Sequence, residues 1–265
     1  MQLSRLMCLC VLALPVALPV ASQSNLSPNA AFGASDREAS PGTAANASES
    51  RSLEPSIEQL GDQFMQQHRY QEAVEAYRRV PVPSAKLWNH MGMAYQLLLD
   101  FNNAVRCYKE SARLDPHSAL FYNNLATAYD QLGDHRQAEQ LYREAIRLAP
   151  HSALYFKNLG TNLLAQHEFE KGSEAYMQAL SIDPQILDFR NTNTTSMVIP
   201  LKDHAETNYV RARSCAQAGL IDCTVVYLRK SLDEGSATPK KIASDSRFQA
   251  VLNTPEVQLL LTEQH

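Results

Sequence analysis

The side chains that carry most protein chemistry are present in this chain, but their spacing favours no catalytic arrangement. His117 and His151 each open the same segment, His-Ser-Ala-Leu, so their recurrence reflects duplication and not a pair of ligands. His68 and His167 fall where we expect turns between helices. The sequence has no Gly-rich phosphate loop, no HExxH zinc motif and no GxSxG nucleophile motif. We therefore expect no catalytic residue, no metal site and no cofactor.

The cysteines allow two interpretations. Three of the five lie beyond the N-terminal apolar run, at Cys107, Cys215 and Cys223, and none forms a CxxC or Cys/His cluster of the kind that binds zinc. Cys215 and Cys223 flank a predicted turn between helices, so a disulfide would cross-link that turn. Because disulfide geometry is strict, the favoured interpretation is three small, buried thiols.

The N-terminus is typical of a secretory signal. Arg5 precedes an apolar run over 6–21, which is shorter than the roughly 20 residues that a membrane-spanning helix needs. We therefore predict a signal peptide over 1–22, cleaved after Ser22, and an exported protein that is periplasmic or secreted. The alternative is an uncleaved anchor, and membrane contact is expected only in that case.

A polar linker follows the leader. Of the 30 residues over 23–52, 22 are Ser, Ala, Asn, Gly, Pro or Thr. Such a composition cannot bury enough apolar surface to offset the entropy of the chain, so 23–55 is predicted to be disordered. The formal net charge of −4 gives no reason to expect a nucleic acid partner, since such proteins usually present a basic face.

The strongest signal in the chain is an internal repeat of 34 residues. Seven columns keep this interval: Trp88, Tyr122 and Phe156; Met91, Leu125 and Leu159; Gly92, Ala126 and Gly160; Tyr95, Tyr129 and Leu163; Ala104, Ala138 and Gly172; Tyr108, Tyr142 and Tyr176; Pro116, Pro150 and Pro184. The spacing predicts two helices per unit, with the proline beyond the second. One such hairpin cannot bury its apolar faces alone, so the units must stack into a solenoid. The aromatic columns are predicted to be core and not a stacking platform for a ligand.

The 34-residue unit, with Trp88-x2-Met91-Gly92-x2-Tyr95 followed by Ala104, Tyr108 and Pro116, resembles the tetratricopeptide repeat. An earlier copy over 57–77 matches the same pattern but is three residues shorter at its exit. The resemblance implies an all-α solenoid of stacked antiparallel helix hairpins, with four repeats over 56–184. Ser84, Ser118 and Ser152 keep the same 34-residue interval just ahead of each unit, and they are predicted to be helix N-caps because a hydroxyl there can accept from an unpaired backbone N–H.

In proteins of this family the first helices of the repeats line a concave face that binds peptides or proteins. Residue by residue, that face would carry Asn89, His90, Met93, Asn123, Asn124, Thr127, Lys157, Asn158 and Thr161. The amides of Asn124 and Asn158 occupy equivalent positions and suit a peptide backbone. The family's clamp for a C-terminal carboxylate needs several cations, and Lys157 alone appears here, which disfavours an acidic chaperone tail. The alternative is that these are ordinary solvated polar residues.

Beyond Pro184 the register breaks and later resumes. Residues 203–265 are predicted to form a fifth, degenerate hairpin and a helical cap, because Ala212 and Gly219 stand 86 residues after Ala126 and Gly133. The intervening 185–202 is an insertion in which two β-prone runs over 186–199 predict a small hairpin, with an irregular loop as the alternative.

These features favour an exported scaffold that holds a peptide or protein partner, in a role such as assembly of the cell envelope. A second hypothesis is an enzyme that uses the insertion and the cap as a lid. A third is self-assembly through the ends of the array. The sequence leaves the partner and the oligomeric state open.

Overall fold

The computed structural model describes residues 56–188 and 204–263, and these two ranges form helices joined by short turns without any strand. The predicted all-α solenoid is therefore confirmed. The predicted signal peptide and the predicted linker over 23–55 lie outside the described residues. So does most of the predicted β-hairpin, of which the structure describes 186–188 within a turn and its exit.

Eight helices form four consecutive pairs, and four more follow the insertion. Their bounds are α1 Ile57–Gln66, α2 Tyr70–Tyr77, α3 Ala85–Leu97, α4 Phe101–Leu114, α5 Ala119–Gln131, α6 His135–Leu148, α7 Ala153–Ala165, α8 Phe169–Ile182, α9 His204–Gln217, α10 Ile221–Asp233, α11 Pro239–Ser244 and α12 Pro255–Thr262. The second helices α4, α6 and α8 each end two residues before a proline of the repeat, which cannot donate a helical hydrogen bond.

The helix N-termini show where the sequence-based capping prediction was right and where it was wrong. The Ser84 hydroxyl accepts a hydrogen bond from the Leu87 amide at 3.1 Å, as expected of a capping serine. Ser118 and Ser152 also precede helices, but their hydroxyls make no capping bond. Their carbonyl oxygens instead accept from amides three residues on, which leaves the hydroxyls out of the cap.

The turn between the two helices of each pair uses a backbone conformation that favours glycine. Five residues that occupy the same place in successive pairs have a positive φ: His68 (58°), Leu99 (61°), Gly133 (81°), His167 (61°) and Gly219 (73°). A left-handed residue at this point ends the first helix and reverses the chain. The histidines predicted to lie at turns do so.

Close approach of the paired helices depends on small residues opposite buried tyrosines. A Cβ atom added to Gly92 would lie 2.6 Å from the Tyr108 ring, and one added to Gly61 would lie 2.3 Å from the ring of Tyr77. Both rings are fully buried, and Tyr142 and Tyr176 in the next two pairs are at most 2% exposed. The prediction that the tyrosine column is core is therefore confirmed.

The pairs stack in chain order, and the first helices also contact one another. Helix α1 packs on α3, α3 on α5, and α5 on α7. The first helices therefore lie side by side along one face of the array. Within the described part of the chain, no helix is long and apolar enough to cross a membrane.

The C-terminal end of the array is closed by α11, a 3₁₀ turn over Ser246–Phe248, and α12. Phe248, Val257 and Leu260 are buried in one cluster with residues of α9 and α10. Glu170 at the start of α8 accepts hydrogen bonds from Arg213 on α9 and from Arg247 in the 3₁₀ turn, all at 2.9–3.1 Å. These charged contacts tie the cap to the fourth pair.

The structure joins Cys215 on α9 to Cys223 on α10 by a disulfide, with Cα atoms 5.8 Å apart. The favoured interpretation of three reduced thiols is therefore wrong for this pair. The Cα separation falls in the ordinary range for a bridge because the turn at Gly219 folds the two helices back to back. Cys107 is free and buried, and burial raises the pKa of its thiol to about 11.

Candidate functional site

All nine residues predicted for the concave face lie on α3, α5 and α7, but their exposure differs from the simplest expectation. Asn89 and Asn123 are buried, at 3% and 5% exposure. The other seven are half-buried: His90, Met93, Asn124, Thr127, Lys157, Asn158 and Thr161. Contact between neighbouring first helices accounts for this burial, because each helix covers part of the next.

Four asparagines on this face form a row of hydrogen bonds, which we call the asparagine ladder. Asn158 Nδ2 donates to Asn123 Oδ1 at 2.9 Å, Asn123 Nδ2 donates to Asn124 Oδ1 at 3.2 Å, and Asn124 Nδ2 donates to Asn89 Oδ1 at 2.9 Å. Asn89 Nδ2 ends the row 3.6 Å from the sulfur of Met93, a weak acceptor. The ladder therefore runs from α7 through α5 to α3 with every amide donating in one direction.

His90 continues the same pattern to the first helix of the array. It stands at the position that Asn124 and Asn158 occupy in the next repeats, and its Nδ1 lies 3.0 Å from Asp62 Oδ1 on α1. The Tyr77 hydroxyl donates to the same carboxylate oxygen at 2.6 Å. Each first helix is thus joined to the one before it by a polar side chain at the same place.

The core tyrosines reach this face with their hydroxyl groups. Thr127 donates to the carbonyl of Asn123 at 2.9 Å, and its oxygen lies 3.2 Å from the Tyr142 hydroxyl. Thr161 repeats the arrangement one unit later, with the Tyr176 hydroxyl at 2.9 Å. The threonines therefore connect the face to the core, and the tyrosine rings stay out of reach of a ligand.

The end of the face near α9 is cationic. Burial, together with the charge of Arg211, lowers the pKa of Lys157 to about 8. The Arg211 guanidinium lies 5.6 Å and 5.7 Å from the ring centroids of Tyr176 and Tyr227, and its Nε donates to the Tyr176 hydroxyl at 3.2 Å. Cations are stabilised over aromatic faces at such distances.

The sequence analysis did not assign Arg211 and Asp62 to this face, although the spacing of each from the repeats could have indicated it. Arg211 stands 86 residues after Leu125, so a charged residue occupies an apolar column of the repeat. Asp62 stands 31 residues before Met93, which is the spacing of the shortened first repeat. Arg211 could therefore have been found as a departure from the repeat pattern, and Asp62 by extending the pattern to the first repeat.

A second polar network was also missed, and it lies in the interior. Buried Asp130 accepts a hydrogen bond from Asn162 at 2.6 Å and pairs with His135 Nδ1 at 3.0 Å, and Asn162 also donates to the carbonyl of His135 at 2.9 Å. The hydrogen bond to Asp130 raises the pKa of His135. This network joins α5, α6 and α7; Asn162 and Asp130 are buried, and His135 is half-buried.

A cavity of about 450 Å³ opens beside the disulfide. Its lining includes apolar Leu220 and Ile221 together with Asp222 and Glu256. Among the described residues no three His, Cys, Asp or Glu side chains are grouped so that they could hold a metal ion. The polar contacts that repeat from unit to unit are instead those of the face on α3, α5 and α7.

Comparison with known proteins agrees with this architecture of stacked helix pairs. Residues 83–151 match the family model described as tetratricopeptide repeat. A search of the curated proteins found no significant match.

Two solved structures illustrate the similarity of fold. A crystal structure of MamA protein is 22% identical over 71% of this chain and 93% of its own, with a TM-score of 0.50. The structure of MamA from residue 41 to its end, from Desulfovibrio magneticus RS-1, is 16% identical over 72% of this chain and 96% of its own, also with a TM-score of 0.50. At these identities the likeness concerns the fold alone.

Proposed function

We propose that this protein is an exported scaffold that holds an extended segment of a partner protein along the face formed by α3, α5 and α7. The observation that carries the proposal is the asparagine ladder. An asparagine amide has two N–H groups and an oxygen with two lone pairs, and the ladder uses one N–H of each amide. The half-buried Asn124 and Asn158 therefore keep polar capacity for a ligand in the groove.

The ladder suits a peptide backbone better than a small apolar ligand. A peptide in extended form presents alternating N–H and C=O groups, and an amide side chain can donate to one and accept from the other. Because the bonds between the asparagines fix the amide planes before binding, less side-chain entropy is lost when a ligand arrives. Successive repeats then engage successive parts of one chain.

Two features support a location outside the cytoplasm. The apolar run over 6–21 with Arg5 before it is typical of a signal peptide. The disulfide between Cys215 and Cys223 suits an oxidising compartment, where such bonds persist. An envelope protein or an assembly there is accordingly the kind of partner that we propose.

The test compares the chain from residue 23 onward with its Asn124→Ala/Asn158→Ala variant. A partner is first captured by pull-down, and the segment that binds is then synthesised and titrated by calorimetry. We expect the double variant to lose about 2 kcal/mol of binding, which is about 30-fold in Kd, because backbone groups of the bound segment lose their partners. Some stability is also lost, about 1–2 kcal/mol, since the ladder is broken.

Asn162→Ala is the matched control. It removes a buried amide of the same kind from α7 and also costs stability, but Asn162 does not face the groove. We expect this control to bind with unchanged affinity. Equal weakening in both variants would show that the effect comes from destabilisation. Unchanged affinity in the double variant would move the site elsewhere, first to the insertion over 185–202.

A further inference from the structure

Asp130, His135 and Asn162 join the third helix pair, α5 and α6, to the first helix of the fourth pair, α7. Asp130 Oδ1 lies 3.0 Å from His135 Nδ1 and accepts a hydrogen bond from Asn162 Nδ2 at 2.6 Å. Asn162 Nδ2 also donates to the His135 carbonyl oxygen at 2.9 Å. We call these three residues the repeat joint, because they connect one helix pair to the next.

The residues of the repeat joint depart together from the 34-residue pattern. The same places in the neighbouring repeats carry residues without charge, so the fold does not require an acid and a histidine there. In the second pair, the Tyr108 hydroxyl donates to Gln96 Oε1 at 2.8 Å, and this buried hydrogen bond is between neutral groups. Asp130 stands in the place of Gln96 and Leu164, His135 in that of Phe101 and Phe169, and Asn162 in that of Ala94 and Ala128.

The Asp130 carboxylate depends on His135 for a compensating charge. The Asp130 side chain is 1% exposed, and in the part of the chain that the structure describes its one ion pair is with His135. A buried carboxylate is costly unless hydrogen bonds and a cation compensate for the water that it loses. Asn162 supplies a neutral hydrogen bond at any pH, whereas His135 supplies a charge only while its ring is protonated.

The acidic groups around His135 favour its protonated form. The hydrogen bond to Asp130 raises the pKa of His135, and the charges of Asp130 and of Asp134, which directly precedes the histidine, act in the same direction. Partial burial of the ring opposes them. The imidazole therefore keeps its proton to a higher pH in the folded chain than in the unfolded chain.

The other polar groups at this interface have partners of their own. Glu139 of α6 accepts from Arg143 at 2.9 Å and from Gln166 of α7 at 3.0 Å. Lys171 of α8 is exposed and pairs with a neighbouring glutamate. Burial raises the pKa of the Tyr142 hydroxyl well above its ordinary value, so this group stays neutral. The contacts that α7 makes with the joint are amides, which do not titrate.

We propose that the repeat joint is a pH-sensitive link within the array, which holds the third and fourth helix pairs together more firmly when His135 is charged than when it is neutral. At a pH below about 6.5, the ordinary pKa of histidine, His135 is charged in both the folded and the unfolded chain, and its contribution to stability is fully present. As the pH rises through the folded pKa, the folded chain also loses the proton, and the contribution is lost. The link belongs to the array itself and does not depend on what the face of α3, α5 and α7 binds.

Two matched variants test the pH dependence by urea unfolding of the chain from residue 23 onward. His135→Gln keeps a hydrogen-bond donor near Asp130 but does not titrate, while His151→Gln removes an imidazole from an exposed turn between repeats. From about pH 5.5 to about pH 8.5, we expect the unfolding equilibrium constant of the unchanged chain to rise several-fold relative to that of His135→Gln, because each unit by which the folded pKa exceeds the unfolded pKa amounts to ten-fold. His151→Gln should follow the unchanged chain.

Hydrogen exchange measures where in the array the effect lies. After correction for the intrinsic rates, we expect the amides of α7 in the unchanged chain to be several-fold less protected at about pH 8.5 than at about pH 5.5, since each repeat is held mainly by its neighbours. The amides of α3, two pairs away from the joint, should change less.

Three outcomes would overturn the proposal. The first is a parallel pH profile for the unchanged chain and His135→Gln, and the second is an equal loss of pH dependence in His151→Gln. The third is an equal change of protection in α3 and α7. If His135→Gln does not fold, the pKa of the His135 ring, measured by NMR in the unchanged chain, replaces the first comparison: a value above about 6.5 supports the joint, and a value at or below it overturns the proposal.

Discussion

Lys157 keeps an ammonium group in a half-buried position, where burial and the charge of Arg211 lower its pKa to about 8 from an ordinary 10.5. At a pH below the folded pKa, the lysine is charged in both the folded and the unfolded chain, so the full cost of burying the charge weakens the fold. At a pH between the folded and the unfolded pKa, the unfolded chain holds a proton that the folded chain has lost. Stability contributed by this group therefore rises with pH across that window.

Lys157→Met should accordingly stabilise the free protein at neutral pH. We expect a gain of about 1 kcal/mol or more in the free energy of unfolding by urea at about pH 7, and a smaller gain at about pH 10, where the native lysine is neutral. Equal gains at both pH values would show that packing and not charge is responsible. A loss at neutral pH would show that the cation supports the fold.

At the scale of the helix pair, the turn at Leu99 carries local strain. Its φ of 61° is a conformation that glycine adopts readily and that costs other residues about 1 kcal/mol. Leu99 is 68% exposed, so its side chain contributes little packing. We expect Leu99→Gly to raise the free energy of unfolding by about 0.5–1 kcal/mol, measured by denaturant titration.

Leu98→Gly is the comparison for this turn. Leu98 has a negative φ of −82° and lies at the C-cap of α3, where glycine offers no relief of strain. This variant should lower stability by a similar amount, through lost helix propensity and lost contacts. If both substitutions act in the same direction, the strain at Leu99 is not the cause.

The helix pairs could be predicted well from the sequence, because the residues that determine them are close in the chain and recur in each repeat. Apolar columns at a 34-residue interval define which faces pack, and each proline limits the second helix. The left-handed conformation at the turn could be predicted from Gly133 in one repeat, but not from Leu99, which occupies the same place in the repeat before it. The prediction of caps at Ser118 and Ser152 was wrong, because a hydrogen bond to the serine hydroxyl depends on backbone angles that the residue type does not determine.

The candidate face was predictable only in outline. The family resemblance assigned nine residues to the first helices, and they lie on α3, α5 and α7, but the burial of Asn89 and Asn123 depends on how closely these helices approach. The ladder and the placement of Arg211 are contacts between residues up to 35 positions apart, so they depend on how neighbouring helix pairs stack. No property of a single position determines that stacking.

At the scale of the whole molecule, the array depends on its C-terminal closure. Ending the chain after Gly235 would expose the α9 and α10 surfaces that now bury Ile242, Phe248, Val257 and Leu260. We expect this truncation to lower the melting temperature by several degrees and to promote aggregation, since an exposed solenoid end is apolar. Circular dichroism melting and light scattering after size exclusion measure the two effects.

Truncation at the other end serves as the control. Removing the polar linker over 23–52 takes away a similar length of chain that the sequence predicts to be outside the fold, and should leave melting unchanged. If the C-terminal truncation melts and scatters like the full chain, the repeats are stable without their cap. If the linker deletion also melts early, the linker is part of the fold.

The ladder also gives the face formed by α3, α5 and α7 two unlike ends. Every amide along it donates toward α3, where the row ends at Met93 and the separate pair of His90 and Asp62 lies nearby, while Lys157 and Arg211 lie at the opposite end. A chain laid along this face therefore meets a negative group at one extremity and positive groups at the other. Turning the same chain end for end would reverse every one of these encounters, so a segment bound as we propose would be held in one direction.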